Sequence, residues 1–489
     1  MKKIFVILFL SAFLFPACKK VIEPKLGDTG QIGSDEFYTD FNGALQGING
    51  VYPAVQRVYR RLWITDMLSD DGETGSGGDQ AWADVEYHSI NAASGIIADL
   101  WGSNYNGIFR ANTFLARAPK ITGLTINQAI LRNQFIGEAY FLRALFYFNL
   151  VRLHGDVPLL TDELTNLDQL NIPKIAAAQV YAQIEKDLLE AIKTLPPTFP
   201  NPRLIAPVVG ISGGSELGRA TLGSAKTLLG HLYLTLRENA KAEQMLLDVV
   251  NSNVYSLNAN YANNFNALGG PKNSPESIFE AQFTALATLP GAQNDFGFQF
   301  GPTEGAVPNL ARNRPTDNTM IESLDLVNTL VQQFPAADLR KEHTASYSTS
   351  TPIRSINKKY FTPTTNQGAT NWVVYRYADA ILMLAEALQS QGKDAAALIE
   401  LNKVRANPRT GLTAYSGLTG TDLRDAIRLE RRLELGLESK RWFDLLRWNT
   451  VESVMAAHKR PIQPGTRGLM PIPQEEIIKN PKLIQNNGY

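Results

Sequence analysis

The sequence predicts a mostly α-helical protein in which paired helices stack side by side against a loop-rich half. Three observations predict this fold class. Apolar residues recur at helical spacing over long stretches, one helix pair repeats the offsets of another, and the stretch 255–370 is instead rich in Asn, Gly, Pro and Thr. With one cysteine in 489 residues, the chain has to hold this fold without intrachain disulfide bonds.

The chain begins with a short apolar segment between two lysines and its only cysteine. The uncharged run over 4–15 is shorter than the roughly 17–25 residues that a membrane-spanning helix needs. This arrangement is typical of a signal peptide. A small residue, Ala17, precedes Cys18, which predicts that residues 1–17 are removed and that Cys18 is lipidated. The alternative is a secreted protein that is cut near Ala17 and carries an incidental cysteine.

Helical patterns follow a tether, 18–36, that is rich in Gly, Pro and charge. The predicted helices are 37–59 with a bend at Pro53, 98–117, 127–153, 175–194, 219–236, 238–251, 372–391, 394–406, 421–437 and a short one near 442–448. The acidic, glycine-rich stretch 69–80 is predicted to be a loop that cannot bury itself, and 255–370 to be long loops with small strands. We assign 37–260 and 261–489 to the N-terminal and C-terminal regions of one intertwined globular unit.

Two of the predicted helix pairs share the offsets of a tetratricopeptide repeat. They read Leu229-Gly230-x-x-Tyr233 followed by Ala242 and Leu246, and Leu384-Ala385-x-x-Leu388 followed by Ala397 and Leu401. Small residues at these positions let paired helices approach closely, and large residues fill the groove between them. Generic helical hairpins are the alternative interpretation.

Charge and motif spacing argue against several functional classes. The chain has 47 basic and 47 acidic residues, and a near-neutral surface argues against nucleic acid as a partner. The five histidines show no metal-ligand spacing, so we predict no metal site and no cofactor. A glycosidase needs two carboxyls facing each other about 5–9.5 Å apart, and the adjacent Asp70 and Asp71 point different ways. We therefore expect no enzyme, with a surface glycoside hydrolase that uses either aspartate as an alternative.

Trp101 and Asn104 are the first candidates for ligand contact because three-residue spacing puts them on one face of a helix. An indole offers an apolar plane to a sugar ring, and an amide offers both a donor and an acceptor to hydroxyls. Core packing is the alternative for Trp101. The further candidates are Asp71 in the 69–80 loop, Trp82 beside it, and, more weakly, Trp372 and the segment 294–298.

Ordered motifs extend over nearly the whole predicted mature chain. They are Trp101-x-x-x-Tyr105-x-x-Ile108-x-x-x-Asn112, EAYFLRA at 138–144, HGDVP at 154–158, GRAT at 218–221, RYAD at 376–379, AEA at 385–387, LNxVR at 401–405, ERRxEL at 430–435, RWFDLxR at 441–447, PIP at 471–473 and QNNGY at 485–489. In these motifs the chain resembles the SusD/RagB family of outer-membrane nutrient-binding lipoproteins from Bacteroidetes.

The resemblance implies four tetratricopeptide-like helix pairs that form a right-handed superhelical scaffold packed against a loop-rich ligand-binding half. It implies non-catalytic binding of oligosaccharides at the cell surface, and in some members of peptides or other nutrients. It also implies delivery to a SusC-like TonB-dependent transporter. The expected location is the outer membrane, with a lipid anchor at Cys18 and the protein facing the cell exterior. Ligand residues vary within the family, so the resemblance does not name the glycan.

Overall fold

Helices make up most of the structure, which confirms the predicted fold class. The computed structural model describes residues 34–74, 80–198, 217–284, 314–315, 329–347, 355–360, 368–406 and 408–489. The signal segment, Cys18, most of the tether and the segment 294–298 lie outside these ranges. Within the ranges, no helix has both the length and the apolarity that crossing a bilayer requires.

Helices occur throughout the described ranges, and the strands between them are short. The helices are α1 (Ser34–Phe37), α2 (Phe41–Asn49), α3 (Tyr52–Leu62), α4 (Ile64–Leu68), α5 (Gln80–Glu86), α6 (Gly95–Arg117), α7 (Ile126–His154), α8 (Ala177–Thr194), α9 (Leu222–Thr235), α10 (Asn239–Val250), α11 (Leu330–Gln333), α12 (Lys341–Thr344), α13 (Tyr377–Gln389), α14 (Asp394–Arg405), α15 (Gly420–Leu435), α16 (Arg441–Arg447), α17 (Val451–Ala457) and α18 (Gln474–Lys479). The strands are β1 (Gly72–Glu73), β2 (Ser277–Ala281), β3 (Arg314–Pro315), β4 (Ser346–Tyr347), β5 (Ser355–Ile356) and β6 (Trp372–Arg376). They pair antiparallel as β1 with β3, β2 with β6 and β4 with β5.

Successive helices pack on one another. Helix α6 packs on α7, α7 on α8, α8 on α9 and α9 on α10, and α10 then packs on α13, which pairs with α14. The two helix pairs with matching offsets, α9–α10 and α13–α14, are therefore neighbours. A Cβ atom at Gly230 would lie 2.6 Å from Cγ of Leu246, closer than real Cβ atoms approach. Glycine thus permits the close contact that the repeat spacing predicts.

Two predicted boundaries are wrong. Residues Trp372–Arg376 form β6 and not the start of a helix, because this β-branched and aromatic run pairs with β2 and is buried throughout. Helix α13 begins only at Tyr377. Residues 69–73 do not form a solvated loop either, since all five are buried. Residues 75–79 of the same predicted loop lie outside the described ranges.

A continuous apolar core joins the two halves of the chain. Its buried side chains run from Ala44 in α2 to Leu483 after α18. Helix α7 lies at its centre: residues 141–151 are all buried, although the sequence predicts a helix with one apolar face. A helix that is enclosed on all sides has to be packed by neighbours in every direction, as α2, α6 and α8 do here.

Buried charges accompany this apolar core, and α15 carries the central one. Glu434, which is 0% exposed, pairs with three guanidiniums: Arg340 at 2.8 Å, Arg376 at 2.5 Å, and Arg409. Arg376 also pairs with Glu438, and the distance from Arg376 Nε to Glu438 Oε2 is 2.9 Å. The sequence alone indicates ion pairs along one helix face, but these partners come from other parts of the chain. We call this set the Glu434 network.

The neighbouring residues of α15 reach in other directions. Arg432 Nε lies 2.6 Å from Asp71 Oδ1, and Arg432 Nη2 lies 2.9 Å from Asp70 Oδ2. Arg431 pairs with Asp379 at 3.0 Å and with Asp444 at 3.1 Å. One helix therefore holds charged side chains from the N-terminal region, from α13 and from α16.

Glu434→Gln should lower the free energy of unfolding by about 3–5 kcal/mol, because it leaves buried guanidiniums without their counter-charge. Urea denaturation measures this change. Glu190→Gln is the matched control: Glu190 pairs with Lys193 at the surface, where they are 40% and 63% exposed, and its loss should cost less than about 1 kcal/mol. Equal effects in the two variants would contradict a structural role for the network.

Several buried groups have pKa values that make stability depend on pH. Burial opposes ionisation of Asp379, but Lys440 and Arg431 outweigh it and lower the pKa of Asp379 to about 2. Burial lowers the pKa of His154 to about 4. Other buried carboxyls also have lowered pKa values, because paired cations outweigh the effect of burial; they are Asp70, Glu386, Glu434, Glu438 and Asp444. At Asp187 and Glu280, burial dominates and raises the pKa.

The melting temperature should fall in two stages as the pH is lowered. The unfolded chain protonates its histidines near pH 6.5 and its carboxylates near pH 4, before the folded state does so at His154 or Asp379. The stability that depends on the lowered pKa values is therefore complete above about pH 6.5, declines as histidines titrate, and declines further below about pH 4, where the many carboxylates with lowered pKa values outweigh the opposite effect of Asp187 and Glu280. Calorimetric scans between about pH 2 and 8 test this, and a melting temperature that rose from pH 7 to pH 4 would contradict it.

Candidate functional site

A groove of about 840 Å³ lies between α6, the loop that follows α7, and α18. From α6 it is lined by Trp101, Tyr105 and Phe109, which recur every four residues and so follow one face of the helix. The loop 158–171 forms a second wall, and residues 476–483 form a third. We call it the Trp101 groove.

The three aromatic residues of α6 differ in exposure. Trp101 is 3% exposed, and its ring packs against Tyr105 and edge-to-face against His154, with centroids 5.0 Å away in both cases. The Tyr105 hydroxyl donates to the carbonyl of Pro158 at 2.8 Å. Phe109 is 45% exposed and therefore presents the open aromatic face of the groove.

Residues near the C-terminus hold the groove walls in place. The Asn480 side chain donates to the carbonyls of Leu170 at 3.2 Å and Ile172 at 2.8 Å, which ties the loop to α18. Asn486 donates to the carbonyl of His154 at 2.7 Å and thereby joins the C-terminal tail to the end of α7. The shape of the groove thus depends on side-chain amides that bond to backbone carbonyls.

The polar lining of the groove combines asparagine amides with Thr165 and with Glu476 and Lys479, which pair with each other at 2.8 Å. Asn106, Asn166 and Asn171 line it, and each amide carries both donors and an acceptor. Asn106 Oδ1 accepts from Arg110 Nε at 3.0 Å, which orients that side chain. Apolar and aromatic walls with a few amides suit a neutral, hydroxyl-bearing ligand. In the described ranges, no group of three or more His, Cys, Asp or Glu side chains is placed to hold a metal ion.

Of the residues predicted to contact ligand, only Trp101 lines this groove, and all five side chains, Trp101 included, are buried and not exposed as expected. Asn104 is 0% exposed, and its amide donates to the carbonyl of Leu100 at 2.8 Å within α6. Helix α7 covers that side of α6, since the Asn149 side chain of α7 donates to Asn104 Oδ1 at 3.5 Å. Asn104 therefore does not stand beside Trp101 at a surface.

Asp71, Trp82 and Trp372 are likewise engaged in the fold, at 0%, 6% and 0% exposure. Asp71 pairs with Arg432, and the Trp82 ring stacks on Trp63 with centroids 4.9 Å apart. Trp372 stacks on Tyr360 at 4.1 Å. Large rings and charges are buried where partners fit them, and these three residues do not converge on the Trp101 groove.

Asp70 is not arranged to act as a general acid, and its neighbour Asp71, whose pKa burial raises, is 0% exposed and so has no open face toward a substrate. Burial favours the protonated form of Asp70, but Arg432 and Arg441 outweigh it and hold the pKa of Asp70 well below its ordinary value. Arg441 Nε lies 2.8 Å from one Asp70 oxygen, and Arg432 Nη2 lies 2.9 Å from the other. A carboxylate held between two guanidiniums has no proton to give a leaving group near neutral pH.

Sequence reasoning missed most of the groove. The spacing of Trp101, Tyr105 and Phe109 is visible in the sequence and indicates Phe109 as a third ring on the same face. The walls at 158–171 and 476–483 carry no such signal, because segments about 300 residues apart meet there only through tertiary packing.

Two segments of the chain match known protein families. Residues 41–205 match a family described as "Starch-binding associating with outer membrane", and residues 336–489 match the SusD family. A SusD-like protein of Formosa agariphila is 27% identical, and the alignment covers 99% of this chain and 98% of that protein. A SusD-like protein of Bacteroides ovatus is 25% identical, with 92% and 83% covered.

Solved structures show the same fold. A structure described as a laminarin binding SusD-like protein has a TM-score of 0.75 and 27% identity, covering 92% of this chain and 100% of that one. A SusD homolog from Bacteroides thetaiotaomicron has a TM-score of 0.78 and 23% identity, covering 93% and 98%. Surface glycan-binding protein A of that organism, in complex with laminarihexaose, has a TM-score of 0.71 and 20% identity, covering 91% and 99%. With both regions matched and relatives aligned over nearly its full length, the chain belongs to the SusD/RagB family.

Proposed function

We propose that this protein binds oligosaccharides at the cell surface, leaves them chemically unchanged, and delivers them to a SusC-like TonB-dependent transporter. The observation that carries the proposal is the near full-length likeness to SusD-like proteins, one of which is described as laminarin binding. The chemistry of the Trp101 groove supports it, because aromatic faces and amides together suit sugar rings.

The site features favour a glycan over the two alternatives. A peptide-binding member would need polar groups that face an extended backbone, whereas the Trp101 groove sets Phe109 and Tyr105 beside side-chain amides. A glycoside hydrolase based on Asp70 or Asp71 loses its support, since both carboxylates are buried in ion pairs.

Phe109→Ala should weaken glycan binding by about 1–3 kcal/mol and leave the fold intact, because Phe109 is the exposed ring of the groove. Calorimetric titration with laminarihexaose is the first measurement.

Trp101→Ala should instead lower the free energy of unfolding by about 3–5 kcal/mol, which urea denaturation measures, since its ring is packed in the core.

The control for Phe109→Ala is Leu247→Ala. Leu247 is an apolar helix residue of similar exposure, 40%, on α10 and outside the groove, so its removal should leave the affinity unchanged. If Phe109→Ala binds as tightly as the control variant, the Trp101 groove is not the glycan site.

Attachment to the outer membrane through Cys18 is part of the same proposal. Cys18→Ala should move the protein from the membrane fraction to the soluble fraction, because acyl chains on that thiol would provide the anchor. Fractionation and immunoblotting in cells that lack the partner transporter measure this shift. Equal membrane retention of the variant and the unmodified sequence would refute lipid anchoring at Cys18.

A further inference from the structure

Two buried polar side chains close to the C-terminal tail have a ring nitrogen without a hydrogen-bond partner among the described residues. These atoms are Nε2 of His88, a side chain that is 7% exposed, and Nε1 of Trp442, which is 1% exposed. The two rings stack, with centroids 5.3 Å apart and planes 22° apart. Buried nitrogens of this kind are nearly always bonded to protein, water or ligand, so this pair calls for a partner.

Both rings line a narrow pit that continues into an open pocket. The pit has about 10 Å³ of free space, enough for about one water-sized group. The pocket outside it measures about 700 Å³ and lies between residues 87–92, 461–464 and the last two residues of the chain. His88, Ile90, Ile462, Gln463 and Tyr489 line both spaces. We call the two together the C-terminal pocket.

The rim of the pocket offers an aromatic face. Tyr87 is 50% exposed and stands next to His88, whose backbone adopts a left-handed conformation with φ of 54°. Left-handed backbone is uncommon outside glycine, and here it places an exposed ring and a buried imidazole at consecutive positions of one pocket wall. The C-terminal pocket shares no lining residue with the Trp101 groove.

The two nitrogens select the chemistry of a partner. Burial lowers the pKa of His88 to about 3, so its imidazole is neutral at pH 7. Nε2 of a neutral imidazole either accepts or donates, depending on the tautomer, whereas the Trp442 indole only donates. A hydroxyl group both donates and accepts and carries no charge. It therefore suits the Trp442 donor and also the His88 nitrogen in either tautomer.

We propose that the C-terminal pocket is a second ligand site, which takes one neutral hydroxylated unit such as a terminal sugar residue. One hydroxyl of that unit enters the pit between His88 and Trp442, and the apolar side of its ring lies near Tyr87. The choice of a sugar rests on the proposed function, whereas the site itself rests on the two unpartnered nitrogens and the pocket above them.

The test uses the mature chain labelled with ¹⁵N-tryptophan. The indole N–H signal of Trp442 is assigned by its loss in Trp442→Phe, and glucose and laminarihexaose are the probes. We expect saturable movement of this signal with glucose, and equal movement in Phe109→Ala, whose defect lies in the other site. Tyr87→Ala and His88→Asn should each weaken the response about ten-fold, the effect of one or two lost contacts. Asparagine tolerates the left-handed backbone at position 88.

Four outcomes decide between the proposals. A Trp442 signal that neither probe moves overturns the proposal and leaves a single water as the occupant of the pit. Movement that persists undiminished in folded Tyr87→Ala and His88→Asn also overturns it. If laminarihexaose binds and Phe109→Ala abolishes binding while Trp442 stays unmoved, the C-terminal pocket fails and the proposed function stands. If Trp442 responds to glucose while laminarihexaose does not bind in the Trp101 groove, the C-terminal pocket stands and the proposed function of the groove fails.

Discussion

Pairing of buried charges on α15 is the constraint on which the rest of the structure depends. Burying a carboxylate is costly unless cations pair with it. The burial of Glu434 therefore requires that β6, which carries Arg376, and the segment around Arg340 are in place together. Two residues earlier on the same helix, Arg432 imposes the same condition on Asp70 and Asp71. The N-terminal and C-terminal regions are therefore held together by directional contacts as well as by a shared apolar core.

The same constraint explains why the motifs of this family indicate scaffold and not ligand chemistry. Glu138 pairs with Arg219 at 2.9 Å, and Arg143 pairs with Asp187 at 2.7 Å. The aromatic residues of α6 follow this division: Trp101 is a specified position of its motif and is buried, whereas Phe109 occupies an unspecified position of the same motif and is exposed. Residues that are buried in the fold offer little surface to a ligand, so the proposed binding role falls to exposed neighbours such as Phe109.

Both proposed sites lie where the C-terminal tail closes against earlier parts of the chain. Asn480 ties the tail to the wall of the Trp101 groove, and Tyr489 lines the C-terminal pocket. The C-terminal tail therefore contributes lining residues to both proposed sites. The sites differ in one respect. The groove combines an exposed ring with amides, whereas the pocket ends in two nitrogens that the described residues leave unpaired.

The sequence by itself determined the helical class, most helix positions, the contact between α9 and α10, and the family, because these follow from local spacing and ordered motifs. It also indicated Trp101, whereas Phe109, four and eight residues after Tyr105 and Trp101, was recognised only once the groove was seen. Only the tertiary structure decided that Trp372 belongs to a strand, that Asp71 is an ion-pair partner, and that residues 476–483 border the groove. The physical reason is that periodicity reports which face of an element is apolar, whereas exposure and partners depend on segments hundreds of residues away, which meet only when the core and its buried charges form together.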